Sequence, residues 1–238
     1  MQQNHHYIIG DVHGEYPMLL ALIKKLPRNA KLIFVGDLVN RGRQSREVVE
    51  FARNHAHAVV KGNHEGYLLE HGKNILKALE TKDDTNLNNL WNYIGGVQML
   101  WSYKLLRRSK DNTFKIIRNQ EGIDALKNDL AWIKNLPLYL ELGDVRDYPL
   151  PVVISHGSIG DYWHLKESHP DTFEMYALSN RTPPSTHSPI FNIYGHEVVS
   201  NVVQGENFIS LDTGCGKYHN GKLSAYCLET EEVVEVFK

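Results

Sequence analysis

The sequence predicts an α/β protein built around a parallel sheet, and three observations lead to that class. Short apolar runs rich in β-formers recur ("HYIIGD", "KLIFVGD", "AHAVVKGN"), and each breaks at a glycine. Amphipathic stretches at helical spacing separate these runs, giving a β-α-β-α-β order. Polar residues follow the strands directly, where open α/β sheets bind ligands.

Taken in order, "YPMLLALIKKL" predicts a helix with Pro17 in its first turn, and Leu19, Leu20, Leu22, Ile23 and Leu26 recur at helical spacing. "QSREVVEFARNH" predicts another, capped by Ser45, with Val48, Val49 and Ala52 facing inward. From Tyr67 to about residue 149, "YLLEHGKNILKALE", "WNYIGGVQMLWSYKLL" and "EGIDALKNDLAWIKNL" read as helices, with "TKDDTNLNN" as a loop. This stretch is expected as a helical insertion within one domain, 1–238, with Trp91, Trp101 and Trp132 as core anchors. "PVVISHG", "FNIYGHE", "FISLDTGCG", "KLSAYCLE" and "EVVEVF" predict later strands, and "RTPPSTHSP" a proline-broken loop.

A chain of 238 residues buries a large core. A net charge of −2 argues against a general nucleic-acid or membrane surface, and no apolar run approaches the ~18 residues of a span. "MQQNHHYIIGD" lacks a leader pattern, and Cys215 and Cys227 read as reduced thiols, so a cytoplasmic location is expected. Thirteen histidines are unusual. His5 and His6 are expected in a frayed terminus.

The strand ends supply Asp11, His13, Asp37, Asn63, His156 and His196. Oxygen and nitrogen donors without thiolate suit manganese, iron or zinc. Six donors exceed the needs of one tetrahedral ion and fit two ions sharing a carboxylate, for which Asp37 is central in chain order. Such a pair generates hydroxide near neutral pH and clamps phosphoryl oxygens during in-line attack.

"GDVHG", "GDLVNRG" and "GNHE", in that order, followed by "SHG" and "YGHE", resemble the metallophosphoesterases, particularly their phosphoprotein phosphatase branch. "WNYIGG", "NLPLYLEL" and "LDTGCG" extend the resemblance over almost the whole chain. It implies two facing β-sheets flanked by helices. It makes Asp11, His13 and His196 ligands of one ion, Asp37 the bridge, and Asn63 and His156 the completion of a second. The ions are expected to be manganese, with iron or zinc as alternatives. His64 becomes the general acid, and Arg41 and Arg181 hold the phosphate. Asp212 is expected to organise a turn.

Asn40 departs from the protein-phosphatase pattern, where an aspartate orients the histidine corresponding to His64. An amide accepts a hydrogen bond but brings no charge, so it suits weakly basic leaving groups better than a serine alkoxide. The expected function is a metal-dependent phosphomonoesterase of serine/threonine protein phosphatase type, acting on phosphorylated protein or small phosphorylated substrates. The alternative is a symmetric bis(5'-nucleosyl)-tetraphosphatase hydrolysing dinucleoside polyphosphates, towards which Asn40 and "LDTGC" lean. A metal-holding module without catalysis is the third reading, and retention of His64 argues against it.

Overall fold

A computed structural model of the chain describes residues 5–81, 95–108, 114–145 and 147–238. The expected alternation is present: β1 (His6–Ile9), α1 (Tyr16–Lys25), β2 (Lys31–Phe34), α2 (Ser45–His55), β3 (Ala58–Val59) and α3 (Asn63–Thr81). β1 pairs parallel to β2, and β2 to β3. Pro17 opens α1, where a missing N–H costs nothing, and Met18, Leu19 and Leu22 face the sheet. Val48, Val49 and Ala52 are the buried stripe of α2. Ser45 is its first residue rather than its cap; the hydroxyl accepts the Asn40 backbone N–H at 3.0 Å instead.

The middle of the chain holds α4 (Gly96–Ser102), a hairpin of β4 (Leu106–Arg108) with β5 (Phe114–Ile116), and α5 (Gln120–Lys134). The helix expected over "WNYIGGVQMLWSYKLL" therefore stops early. Lys104 takes a left-handed φ of 56°, which ends helical hydrogen bonding, and Leu106 enters the hairpin. The loop expected over "TKDDTNLNN" lies, apart from Thr81, outside the described residues, as does Trp91. Trp101 and Trp132 are half-buried against the core, as expected of anchors.

The second half supplies β6 (Tyr139–Gly143), β7 (Val152–Ser155), α6 (Leu165–Ser168), α7 (Pro170–Ser179), β8 (Phe191–Tyr194), β9 (Val203–Gln204), β10 (Phe208–Ser210), β11 (Lys222–Cys227) and β12 (Val233–Phe237). Two five-stranded sheets result, in the orders β12-β11-β1-β2-β3 and β6-β7-β8-β10-β9. Their inner faces meet through Ile8, Ile33 and Val35 on one side and Ile154, Ile193 and Ile209 on the other. A fully buried aliphatic side chain contributes about 1.5–3 kcal/mol, so this seam fixes how the sheets face each other. Helices α1 and α2 cover the outer face of the first sheet, and α7 packs on the second through Phe173 and Ala177. His6 is not frayed: it lies in β1, and its ring meets Glu229 at 2.6 Å. Both cysteines are buried free thiols.

Candidate metal centre

Five strands end at one place. Asp11 and His13 follow β1, Asp37 follows β2, Asn63 opens α3 just beyond β3, His156 follows β7 and His196 follows β8. The two sheets face each other, so their carboxyl-end loops converge. His13, Asp37 and His64 bring ligand atoms within 4.8 Å of one another, and so do Asp37, His156 and His196; Asp37 belongs to both sets. This grouping places His196 beside His156, whereas the resemblance assigned it with Asp11 and His13. Its backbone N–H nonetheless reaches Asp11 Oδ1 at 3.3 Å.

The hydrogen bonds behind each histidine decide which nitrogen faces the centre. His13 Nδ1 lies 3.1 Å from the Val39 carbonyl, and His156 Nδ1 lies 3.0 Å from the Val35 carbonyl. A carbonyl only accepts, so each Nδ1 carries the proton and each Nε2 presents a lone pair inward. His196 uses the other nitrogen: Nε2 donates to the Ser179 carbonyl at 3.1 Å, leaving Nδ1 for the centre. Burial, reinforced by neighbouring cationic groups, lowers the pKa of His13 to about 3 and of His196 to about 4, and pushes His156 well below its usual value. All three rings are therefore neutral ligands at ordinary pH.

Those lone pairs point at oxygen lone pairs. His13 Nε2 is 3.5 Å from Asp37 Oδ2 and 3.9 Å from Asp11 Oδ2. His156 Nε2 is 3.4 Å from Asp37 Oδ1 and 2.8 Å from Asn63 Oδ1. Asp37 thus turns one oxygen toward each histidine. Asp11 Oδ2 is buried without any hydrogen-bond partner. Burial, then Asp212 and Asp37, raise the Asp11 pKa well above the carboxylate range; burial, then Glu65, do the same for Asp37. Ring lone pairs and carboxylate oxygens that face one another in a buried pocket hold protons until a divalent cation takes their place, so the residues fit the two ions.

Backbone strain concentrates here. His13, Asp37, Asn40, Arg41 and His196 have φ of 48°, 50°, 69°, 62° and 62°, left-handed values that cost non-glycine residues about 1–3 kcal/mol each. Glu65 restrains the Asp37 turn, accepting the backbone N–H groups of Asp37, Leu38 and Gly62 at 2.7, 2.9 and 2.8 Å. A Cβ on Gly62 would overlap the Asp37 carboxylate. Gly95, with φ 102°, lies so close to the Arg41 backbone nitrogen that no side chain fits between. The sequence alone assigns Glu65 of "GNHE" no task; the one signal it carries is an acid directly after His64.

Asn40 stands beside His64, its amide 3.0 Å from Nδ1, while Arg41 Nη2 lies 3.3 Å from Nε2. Guanidinium only donates, so Nε2 accepts and Nδ1 holds the proton. The structure turns Asn40 Nδ2 toward Nδ1 and leaves Oδ1 buried without a partner; the amide ends are isosteric, and exchanging them lets the oxygen accept the Nδ1–H that the Arg41 contact requires. Arg41 Nε is also buried and unpaired. Arg181 stands at the rim, donating to the His196 carbonyl at 3.3 Å and to Glu197 at 2.8 Å. Asp212 does organise a turn, accepting the Gly214 N–H at 2.9 Å.

Facing sheets with a histidine–carboxylate cluster at their shared edge, flanked by arginine, define a metal-dependent hydrolase of phosphate bonds. The chain belongs to the calcineurin-like phosphoesterase family, which matches residues 6–200. It is similar to serine/threonine-protein phosphatase 2 of Escherichia coli, with 28% identity over 93% of this chain and 94% of that one. It is also similar to the symmetrical bis(5'-nucleosyl)-tetraphosphatase of Methylobacillus flagellatus, with 27% identity over 97% of this chain and 94% of that one. The metallophosphoesterase of Sphaerobacter thermophilus shares the fold, with a TM-score of 0.55 and 15% identity over 99% of this chain and 88% of that one.

Proposed function

We propose that the chain is a two-metal phosphohydrolase that favours substrates with weakly basic leaving groups. Asp11, His13 and the shared Asp37 would hold one ion, and Asp37, Asn63, His156 and His196 the other, which moves His196 to the ion its geometry favours; manganese suits these donors. When bound, the ions supply Lewis-acid polarisation of the phosphate and a nucleophile at neutral pH. Arg41, with its unpaired Nε, takes the phosphate oxygens, and Arg181 assists from the rim. Turning Arg41 to phosphate frees His64 Nε2 for the leaving oxygen.

The observation that carries the leaving-group preference is the Asn40 amide at His64 Nδ1. An amide orients the ring but does not stabilise imidazolium, and burial pushes the His64 pKa down. A poorly charged acid helps a phosphate or phenolate leaving group little, because these need little help, and serves a serine alkoxide badly. Dinucleoside polyphosphates and aryl phosphates therefore rank ahead of phosphoserine. The similarity to serine/threonine-protein phosphatase 2 supports the other reading, a phosphoprotein phosphatase. Turnover of a dinucleoside tetraphosphate against a phosphoserine peptide, with manganese present, separates them. Faster cleavage of the peptide would refute the preference.

We also infer one domain, with residues 67–149 as a segment beside the mouth. Gly95 against Arg41 supports this, as does packing of Gly72 of α3 on Leu130 of α5. Among the described residues no helix is long and apolar enough to cross a membrane.

A further inference from the structure

The loop that leaves Asp212 runs past the metal centre and then away from it. Gly216 packs against His13 so closely that a Cβ there would meet His13 Cβ at 2.8 Å. The next residue, Lys217, is exposed, and its charge is felt by His13, His196 and Asp212. Arg181 is paired with Glu197, and Lys222 with Glu235. Among the described residues no carboxylate pairs with Lys217. Its ammonium lies 5.4 Å from the ring centre of Tyr218.

Tyr218 is 51% exposed, and one edge of its ring rests on Gly214. It borders a cavity of about 310 Å³ whose other walls include Val198, Val199, Ser200 and Asn220. Val198 is two residues beyond His196, and Gly216, which packs on His13, is two residues before Tyr218, so the segments that line this cavity are continuous with the candidate metal centre. Two valines, one aromatic face and hydrogen-bonding groups on Ser200, Thr213, Asn220 and Lys222 suit a flat heteroaromatic ligand that carries polar edges. The volume is at the lower end of ligand sites, which run from about 300 Å³, enough for one base and too small for a peptide segment.

We propose that this cavity is a nucleoside subsite, with the base against Tyr218 and Lys217 holding a phosphate that lies between the base and the attacked phosphorus. Stacking on an aromatic face contributes about 1–3 kcal/mol per base, and an unpaired ammonium suits a second anionic group. A phosphomonoester would leave both unused. The inference rests on the phosphohydrolase reading above and names the substrate class of the same site: nucleoside polyphosphates.

Calorimetric binding of adenosine 5'-diphosphate and of inorganic pyrophosphate to the manganese-loaded full chain tests it. The diphosphate should bind about tenfold more tightly than pyrophosphate. Tyr218→Ser should bring the two within about twofold, and Tyr218→Phe should restore the preference. Lys217→Gln should weaken both ligands about equally, since it acts on phosphate. Saturation-transfer NMR of the wild-type chain loaded with diamagnetic zinc, which needs no variant, should mark adenine protons above ribose protons. Equal binding of the two ligands, a preference that survives Tyr218→Ser, or ribose marked above adenine would overturn the subsite. Aryl phosphate hydrolysis without nucleotide preference would sink the subsite and leave the phosphohydrolase standing. A Tyr218-dependent preference without any hydrolysis would do the reverse.

Discussion

At the scale of single residues, Asn40 and His64 connect sequence to reaction most directly. The amide at 3.0 Å holds the imidazole without charging it. Asn40→Asp places a carboxylate at the same nitrogen, which raises the population of imidazolium. We expect cleavage of alkyl phosphates to rise by about 10–100-fold, with phosphoanhydrides changing by less than about threefold. Steady-state kcat on phosphoserine peptide and on dinucleoside tetraphosphate measures this; equal changes would contradict the leaving-group account. Glu65 is the second critical residue, because its carboxylate accepts three backbone N–H groups in a buried turn. Glu65→Ala leaves those donors unpaired, at a cost of about 3 kcal/mol or more, and lets Asp37 relax from its strained φ. A fall in urea midpoint together with weaker manganese binding is the expected result.

The six candidate donors were legible because each sits in a short motif immediately after an apolar run. Their partners were not legible. The carbonyls of Val35, Val39 and Ser179 that set the ring tautomers are contacts between distant segments, and carbonyls carry no residue signature. Ser45 illustrates the converse. Its position before an amphipathic run suggested a cap, yet the strained Asn40 N–H claims its hydroxyl.

At the scale of elements, the segment after β3 packs against the loop that carries Arg41. Tyr103 Oη donates to Asp129 Oδ2 at 2.6 Å, and Arg53 of α2 bonds the other oxygen of that buried carboxylate. The Arg46 N–H reaches the Ser102 hydroxyl at 3.0 Å, tying α2 to α4. Asp129→Ala therefore strands a buried phenol and a guanidinium, and should destabilise by about 3 kcal/mol in urea unfolding. Gly95→Ala attacks that packing at the site: a methyl cannot fit against Arg41. It should raise KM for aryl phosphate about tenfold, since one charged hydrogen bond is disturbed, while manganese stoichiometry stays unchanged. The β4–β5 hairpin escaped sequence reading because "YKLL" continues the apolar helical spacing, and the left-handed turn at Lys104 falls on a residue that does not signal one.

At the scale of the whole molecule, the face-to-face packing of two sheets assembles the site. β1, β2 and β3 bring Asp11, His13, Asp37 and Asn63, and β7 and β8 bring His156 and His196 across the seam. The early parallel order was readable from alternating elements; the division into two sheets followed only from the motif resemblance, because strand periodicity says nothing about which distant strand a β-strand joins. The closing strands β11 and β12 extend the first sheet antiparallel, which the β-α-β pattern also could not indicate.

The pH dependence of metal binding follows from the same assembly. Burial holds Asp11 and Asp37 above their usual pKa, so the metal-free site retains protons at pH values where a free carboxylate has lost them. A cation displaces those protons. Affinity should therefore rise with pH, with proton release visible in calorimetry across buffers of different ionisation enthalpy. Affinity that is flat or falls over the same range would contradict the carboxylate cluster.

Metal content of the purified chain, measured by elemental analysis after equilibration with manganese and set beside phosphate release, is the most direct measurement. Two ions per chain are predicted, with at most one retained and activity lost in Asp37→Asn. A wild-type chain that binds none, or that hydrolyses phosphate at full rate after chelation, would contradict the account.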